Sequence, residues 1–265
     1  MPTGGGLKKT PGKSPSAERP RHAALPERAM ILAAGFGTRM RPITETLPKP
    51  LIKVGGRTLL DHTLDRLDDE GVKTVIINVH HLGQMIENHL KRRKSPGIVF
   101  SRESEILETG GGIAKALPEL GEQPFLVVNA DVMWLNGPHS ALQRMADAWD
   151  DARMDGLLLL HSTVDAYGYA GMGDFNVDPA GVLSPRPERE LSPFLFTGIQ
   201  ILHPRLFKDA PEGRFKLNVL YSRAMEERRL YGVIHDGEWF HVGTPEGLAD
   251  AETYMQERYP GVKRR

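Results

Sequence analysis

The chain has 265 residues, and its 34 lysines and arginines balance its 34 aspartates and glutamates, so no global positive field points to nucleic acid or a membrane surface as partner. The absence of cysteine excludes a disulfide framework, thiolate chemistry and cysteine-ligated zinc, and agrees with a cytoplasmic setting. No apolar run reaches the ~20 residues of a membrane span, and an α/β unit of this length is built around one core.

Residues 1–28 are rich in Gly, Pro, Ser, Lys and Arg and bury too little to offset the entropy of ordering, which predicts a disordered basic leader and leaves 29–265 as a single domain. From Ala29 short apolar runs alternate with amphipathic stretches, the pattern of an α/β fold with a mostly parallel sheet flanked by helices. Met30-Ile31-Leu32-Ala33 reads as a buried first strand. Leu59, Leu60, Thr63, Leu64 and Leu67 recur at helical spacing, and Gly71 sits where that helix should stop. A strand over 74–79 and a helix around Met85, Ile86, His89 and Leu90 follow. The apolar strand 125–128 runs into Asn129-Ala130-Asp131, so polar groups stand at its carboxyl end, the edge where open α/β sheets bind ligands. A helix over 141–154, a strand over 157–160, shorter strands over 172–177 and 196–202 and a helix over 245–259 complete the prediction.

The segment after the first strand, Leu32-Ala33-Ala34-Gly35-Phe36-Gly37-Thr38-Arg39-Met40-Arg41-Pro42, carries the most chemistry. Its two glycines let successive N–H groups turn inward around a phosphate. It lacks the Gly-Lys-Ser/Thr of a Walker A loop, and Met40 stands where a dinucleotide fingerprint needs a third small residue. A Gly-x-Gly alone fits a plain strand-to-helix turn. Here it is accompanied by Arg39, Arg41 and Lys49, the last held between Pro48 and Pro50, whose rings restrict the backbone on both sides.

Gly-x-Gly-Thr-Arg-Met-Arg-Pro followed by Pro-Lys-Pro resembles the signature of the sugar-phosphate nucleotidyltransferases, and the resemblance extends over about 29–254. It implies a Rossmann-like fold of the nucleotide-diphospho-sugar transferase type. It also implies a nucleotide site formed by Leu32, Ala33, Gly35, Gly37, Thr38, Arg39, Lys49, Asn78 and Gly110, with Arg39, Lys49 and Asp131 as the catalytic set.

Glu108-Thr109-Gly110-Gly111-Gly112 precedes a helix expected to start near Ile113. As structure it is a linker. In the family it resembles the segment whose exposed peptide edges read the nucleotide base, which places the base beside Gly110. Asp131 could cap a turn, or offer the hard oxygen that Mg²⁺ prefers; the resemblance makes it the metal aspartate and directs Asn129 to the sugar phosphate. A second metal ligand is expected from Trp-x-Asp-x-Gly-Thr, but the chain reads Trp239-Phe240-His241-Val242-Gly243-Thr244. His241 takes the aspartate's place, as a softer second ligand or as a residue packed at the crevice wall.

The Glu108 to Pro118 run, Gly173-Asp174-Phe175, Phe196-Thr197-Gly198-Ile199 and Phe215-Lys216-Leu217 are similar to the N-acetylmuramate-1-phosphate uridylyltransferases of peptidoglycan recycling. That resemblance implies sugar contacts from Asn129, Asp174, Thr197 and Gly198. The expected reaction is Mg²⁺-dependent transfer from a nucleoside triphosphate, UTP, to a sugar 1-phosphate, N-acetylmuramate 1-phosphate, with release of pyrophosphate. Guanylyl or thymidylyl transfer to another hexose 1-phosphate, or an inactive nucleotide-sugar-binding regulatory domain, are the alternatives.

Overall fold

The computed structural model describes residues 22–259. Of the leader expected over 1–28, residues 1–21 lie outside the described residues. His22 Nδ1 and the Ala23 amide both bond to the Asp147 carboxylate at 2.8 Å, Leu25 packs on the core, and Arg28 already belongs to the first strand.

β1 (Arg28–Leu32) is apolar on both faces because both faces are covered. Alternation sends Ile31 into one core and Met30 into another across the sheet. Two short strands, β2 (Lys53–Val54) and β3 (Arg57–Thr58), lead into α1 (Leu59–Asp69). Thr58 caps that helix by accepting from the Asp61 amide, and its Leu60, Leu64 and Leu67 enter the Ile31 core. β4 (Thr74–Val79) and α2 (Gly83–Leu90) stand where the sequence placed them. β5 (Gly97–Arg102) is an edge strand that the sequence reading lacked.

α3 (Glu108–Leu120) starts five residues earlier than expected, so Gly110, Gly111 and Gly112 lie inside the helix rather than in a linker before it. They permit close approach: a Cβ at Gly110 would overlap the Phe215 ring, and one at Gly111 would overlap the Gly213 carbonyl. β6 (Phe125–Asn129) and β7 (Val132–Leu135) then precede α4 (Ala141–Ala148). That helix stops well before 154. The Asp150 carboxylate accepts from the Ala152 amide at 3.0 Å, a local turn that competes with helix, and acidic residues oppose a helix C-terminus.

The second half supplies β8 (Gly156–Ser162), β9 (Phe175–Val177), β10 (Leu183–Pro185) and β11 (Phe194–Leu202). The strand expected over 172–177 forms only from Phe175, because Gly173 turns left-handed at φ 81°. α5 (Asn218–Glu226), β12 (Leu230–Ile234), β13 (Glu238–His241) and α6 (Pro245–Arg258) complete the chain.

β6, β1, β4 and β5 run parallel to their neighbours, β11 joins β6 antiparallel, and β8 and β12 extend the sheet beyond it. The β9–β10 hairpin branches from β11. The outcome is the Rossmann-like, mostly parallel mixed sheet flanked by helices that the resemblance implies. α1, α2 and α4 cover the Ile31 face, and α3 and α5 cover the Met30 face. In register, Leu32 lies opposite Asn78 on one side and Asn129 on the other, which aligns all three at one carboxyl edge. β7 and β13 pair apart from the main sheet with Val132 opposite His241.

Candidate active site

The loop after β1 is fastened at both ends. The Ala33 amide donates to Asn78 Oδ1 at 2.7 Å, and Met40, fully buried, packs with Ile52, Val54 and Leu59. Gly37 is left-handed, with φ 62°, at the start of a short 3₁₀ turn over Thr38–Met40, and its carbonyl accepts from Thr44 Oγ1 at 2.8 Å. A Cβ there would come within 2.9 Å of Thr44 Cγ2, so glycine is required on both counts. Between these anchors Gly35, Phe36, Thr38 and Arg39 are exposed. Arg39 forms no ion pair among the described residues and lines the cleft as an available cation.

Lys49 opens a further 3₁₀ turn, Lys49–Leu51, with Pro50 and Leu51 buried beneath it. Its Nζ donates to Asp131 Oδ2 at 2.8 Å. Asp131 stands two residues beyond the end of β6, and its carbonyl accepts from the Val242 amide at 3.0 Å. The β7–β13 pairing thereby brings His241 Nε2 to 3.8 Å from Asp131 Oδ2. Burial disfavours the charged carboxylate, but the His241 imidazole and the Lys49 ammonium outweigh it and hold the Asp131 carboxyl well below the usual carboxylate range.

These residues line a cleft of about 460 Å³, bounded by Leu32, Ala33, Gly35, Gly37, Thr38, Arg39, Lys49, Asn78, Asn129 and Asp131 from the predicted set. A second cleft, about 420 Å³, is lined by Asp174, Arg186, Gln200 and Tyr221 among others, and shares Leu32, Thr109 and Asn129 with the first. Asp174 Oδ2 accepts from the Phe196 amide at 2.8 Å.

Four predicted residues line neither cleft: His241, which stands 3.8 Å from Asp131 Oδ2, and three that are buried in the fold. Gly110 is buried, and its amide donates to the Phe215 carbonyl at 3.0 Å rather than standing free; the neighbouring Glu108 and Thr109 face the first cleft instead. Thr197 is fully buried, and its hydroxyl donates to the Leu159 carbonyl at 2.7 Å. Gly198 sits at a bulge in β11 with φ 82°, where a Cβ would come within 2.9 Å of Asn129 Nδ2. Both belong to the support beneath Asn129 and Trp239, whose indole donates to the Thr197 carbonyl at 2.9 Å. Asn78 lines the cleft, but its amide is committed at both ends, to Ala33 and to Glu103 Oε1 at 2.7 Å.

Glu103, Arg186 and Tyr221 were not singled out by sequence, and Thr109 was seen only as part of the Glu108–Gly112 segment. Glu103 follows an unrecognised edge strand, and Arg186 and Tyr221 carry no local signal at all.

Among the described residues no group of three or more acidic or histidine side chains could enclose a metal ion alone. A cation beside Asp131 would take the remaining oxygens from phosphates and water, a coordination that suits Mg²⁺. Among the described residues no helix is long and apolar enough to cross a membrane.

The glycine-bearing loop after β1 and the Lys49–Asp131 pair line one cleft, with a second cleft alongside, and comparison with known proteins gives the family. The profile of the family described as "Nucleotidyl transferase" matches residues 28–258. The chain is 41% identical over 237 residues to an N-acetylmuramate alpha-1-phosphate uridylyltransferase of Caulobacter vibrioides, covering 88% of this chain and 98% of that protein. It is 38% identical over 230 residues to the protein of that name from Neisseria meningitidis serogroup B, covering 85% and 96%. The fold superposes on a UDP-glucose pyrophosphorylase from Acinetobacter baumanii with a TM-score of 0.72 at 19% identity, covering 89% of this chain and 95% of that one. The chain belongs to the nucleotidyl transferase family, and within it to the sugar-1-phosphate nucleotidyltransferases.

Proposed function

We propose that this chain transfers a uridylyl group from UTP to N-acetylmuramate 1-phosphate, releasing pyrophosphate, with Mg²⁺ as the metal ion. The observation that carries the reading is the Lys49–Asp131 pair at 2.8 Å, which flanks Asn129, a residue common to both clefts. The choice of base and sugar is supported by the two relatives of that name and by the similarity of their lengths to this chain.

The second pKa of a phosphomonoester is about 6, so a sugar 1-phosphate is nearly a dianion at neutral pH and its oxygen needs no general base. That oxygen attacks the α-phosphorus, the bond to pyrophosphate breaks in line, and no proton need move. The barrier lies in bringing two polyanions together and holding them aligned, a task of positioning and electrostatics. Amides of the Gly35–Thr38 loop grip the triphosphate, and the free guanidinium of Arg39 offsets charge on the departing pyrophosphate. Lys49, fixed by its proline neighbours, places positive charge where the two substrates meet. The Asn129 amide group donates to the sugar phosphate, and the Asp174 oxygen left free by Phe196 accepts from a sugar hydroxyl. Asp131 would hold Mg²⁺ together with phosphate oxygens, and the ion would supply charge neutralisation at the reacting phosphates. His241, in the place where the signature implies an aspartate, adds no negative charge to that cation's surroundings.

Asp131→Asn tests the assignment. The reading expects a folded protein with pyrophosphate release reduced at least 100-fold and with weakened Mg²⁺ binding in calorimetry with UTP present. Near-normal turnover by that variant would remove Asp131 from the chemistry.

A further inference from the structure

The second cleft contains one cation among its lining residues, Arg186, and this side chain is held in an unusual way. Its Nε donates to the Gly173 carbonyl at 3.1 Å. Its Nη1 donates to the carbonyls of Pro187 at 3.1 Å and Glu190 at 2.8 Å. Its own amide donates to the Asp174 carbonyl at 3.3 Å. Among the described residues no carboxylate pairs with it, and Nη2 has no hydrogen-bond partner. A solvated surface arginine would be free to move, whereas this half-buried one is fixed by three neutral carbonyls, none of which pairs with its charge. An unpaired, immobilised guanidinium with one free –NH₂ edge in a cleft is a preorganised partner for an anion.

The identity of that anion follows from where it lies. The nucleotide phosphates and the sugar's 1-phosphate are met in the first cleft by Arg39, Lys49 and Asn129, and the sugar ring extends from Asn129 into the second cleft towards Asp174. Whatever reaches Arg186 is therefore a substituent on the ring, away from the anomeric phosphate. Asp174 beside it would repel an anion placed at random, so the acidic group must be carried on a specific arm of the sugar.

We propose that Arg186 is a specificity-determining residue that selects a sugar 1-phosphate bearing a carboxylate substituent over its neutral counterpart. The inference rests on the reading that the second cleft receives the sugar, and it deepens that reading by naming the group that recognises the acid.

The test compares two substrates in one variant. Wild type and Arg186→Gln are assayed for pyrophosphate release with UTP and either N-acetylmuramate 1-phosphate, which has the carboxylate, or N-acetylglucosamine 1-phosphate, which lacks it. Thermal melting and UTP affinity serve as controls for folding and for the first cleft. Loss of a charge-assisted bond predicts a fall in kcat/KM of about 10- to 100-fold for the acidic sugar, mainly through KM. The neutral sugar should change by less than about threefold, and Arg186→Lys should recover part of the loss. Equal losses with both sugars would assign the guanidinium to loop geometry or to the phosphate, and would overturn the proposal. An unchanged kcat/KM for the acidic sugar would overturn it as well. Should wild type itself turn over neither sugar, the reading of the second cleft fails first and takes this inference with it.

Discussion

Replacing Asn78 with alanine removes the brace beneath the phosphate loop. The Asn78 side chain accepts from the Ala33 amide at 2.7 Å and donates to Glu103 at 2.7 Å. Asn78 is 3% exposed and Ala33 4%, so water is poorly placed to substitute. An orphaned buried amide costs about 1–3 kcal/mol, and a lost hydrogen bond to a carboxylate costs about 1.5–3 kcal/mol. Combined, with partial relaxation, the variant should lose about 2–5 kcal/mol, a large part of the roughly 5–15 kcal/mol that holds a protein folded. For a chain of this size that is a fall of roughly 4–20 °C in melting temperature, read by circular dichroism and cross-checked by urea titration. Asn78→Asp sharpens the test. It keeps the acceptor for Ala33 but sets a second carboxylate against Glu103, and two such groups in contact resist joint ionisation. The folded variant then holds a proton that the unfolded chain releases, so its stability relative to wild type should recover as pH falls from 8 to 5. An alanine variant melting within 2 °C of wild type, or an aspartate variant with the wild-type pH profile, would refute the bracing argument.

Gly110→Ala should destabilise by about 1–3 kcal/mol in urea titration, because its Cβ would overlap the Phe215 ring, and Phe215→Ala in the same chain should relieve part of that loss. Stability should also fall on acidification through His235. Burial lowers its pKa in the folded state, with His161 adding to the effect and the Glu238 carbonyl partly opposing it. The unfolded chain, with an ordinary value near 6.5, therefore takes up the proton first. The contribution is present above that value and is lost as pH falls through the folded one, so melting temperatures should drop between pH 7 and 5 and His235→Gln should flatten the slope.

What could be read from the sequence was what local pattern dictates. The strands β1, β4 and β6 are uninterrupted apolar runs because helices cover both faces, and the Gly-x-Gly loop and Pro-Lys-Pro turn carry their conformation in glycine and proline. The glycines of α3 misled because glycine is a poor helix former; only the approach of Phe215 and Gly213 from the far half of the chain explains them. β5 is a half-exposed edge, and β12 is interrupted by Gly232, where a Cβ would come within 2.7 Å of Leu160 Cδ1. Thr197 and Gly198 were visible as a motif; in the fold they are buried at the bulge behind Asn129 and line neither cleft. His241 was visible as a departure from the aspartate of the signature. Its distance from Asp131, by contrast, depends on the β7–β13 register, which no local pattern encodes. Arg186 was invisible for the same reason: its three carbonyl partners define it, and none is legible as a pattern of residue types.

The most direct measurement is pyrophosphate release by the purified chain with Mg²⁺, using UTP, GTP and dTTP in turn against N-acetylmuramate 1-phosphate, N-acetylglucosamine 1-phosphate and glucose 1-phosphate. The account predicts the highest kcat/KM for UTP with N-acetylmuramate 1-phosphate and loss of activity on chelation. Equal or better turnover with GTP or dTTP, or with a neutral sugar, would contradict the assignment of substrate, and no pyrophosphate from any pair would contradict the reaction itself.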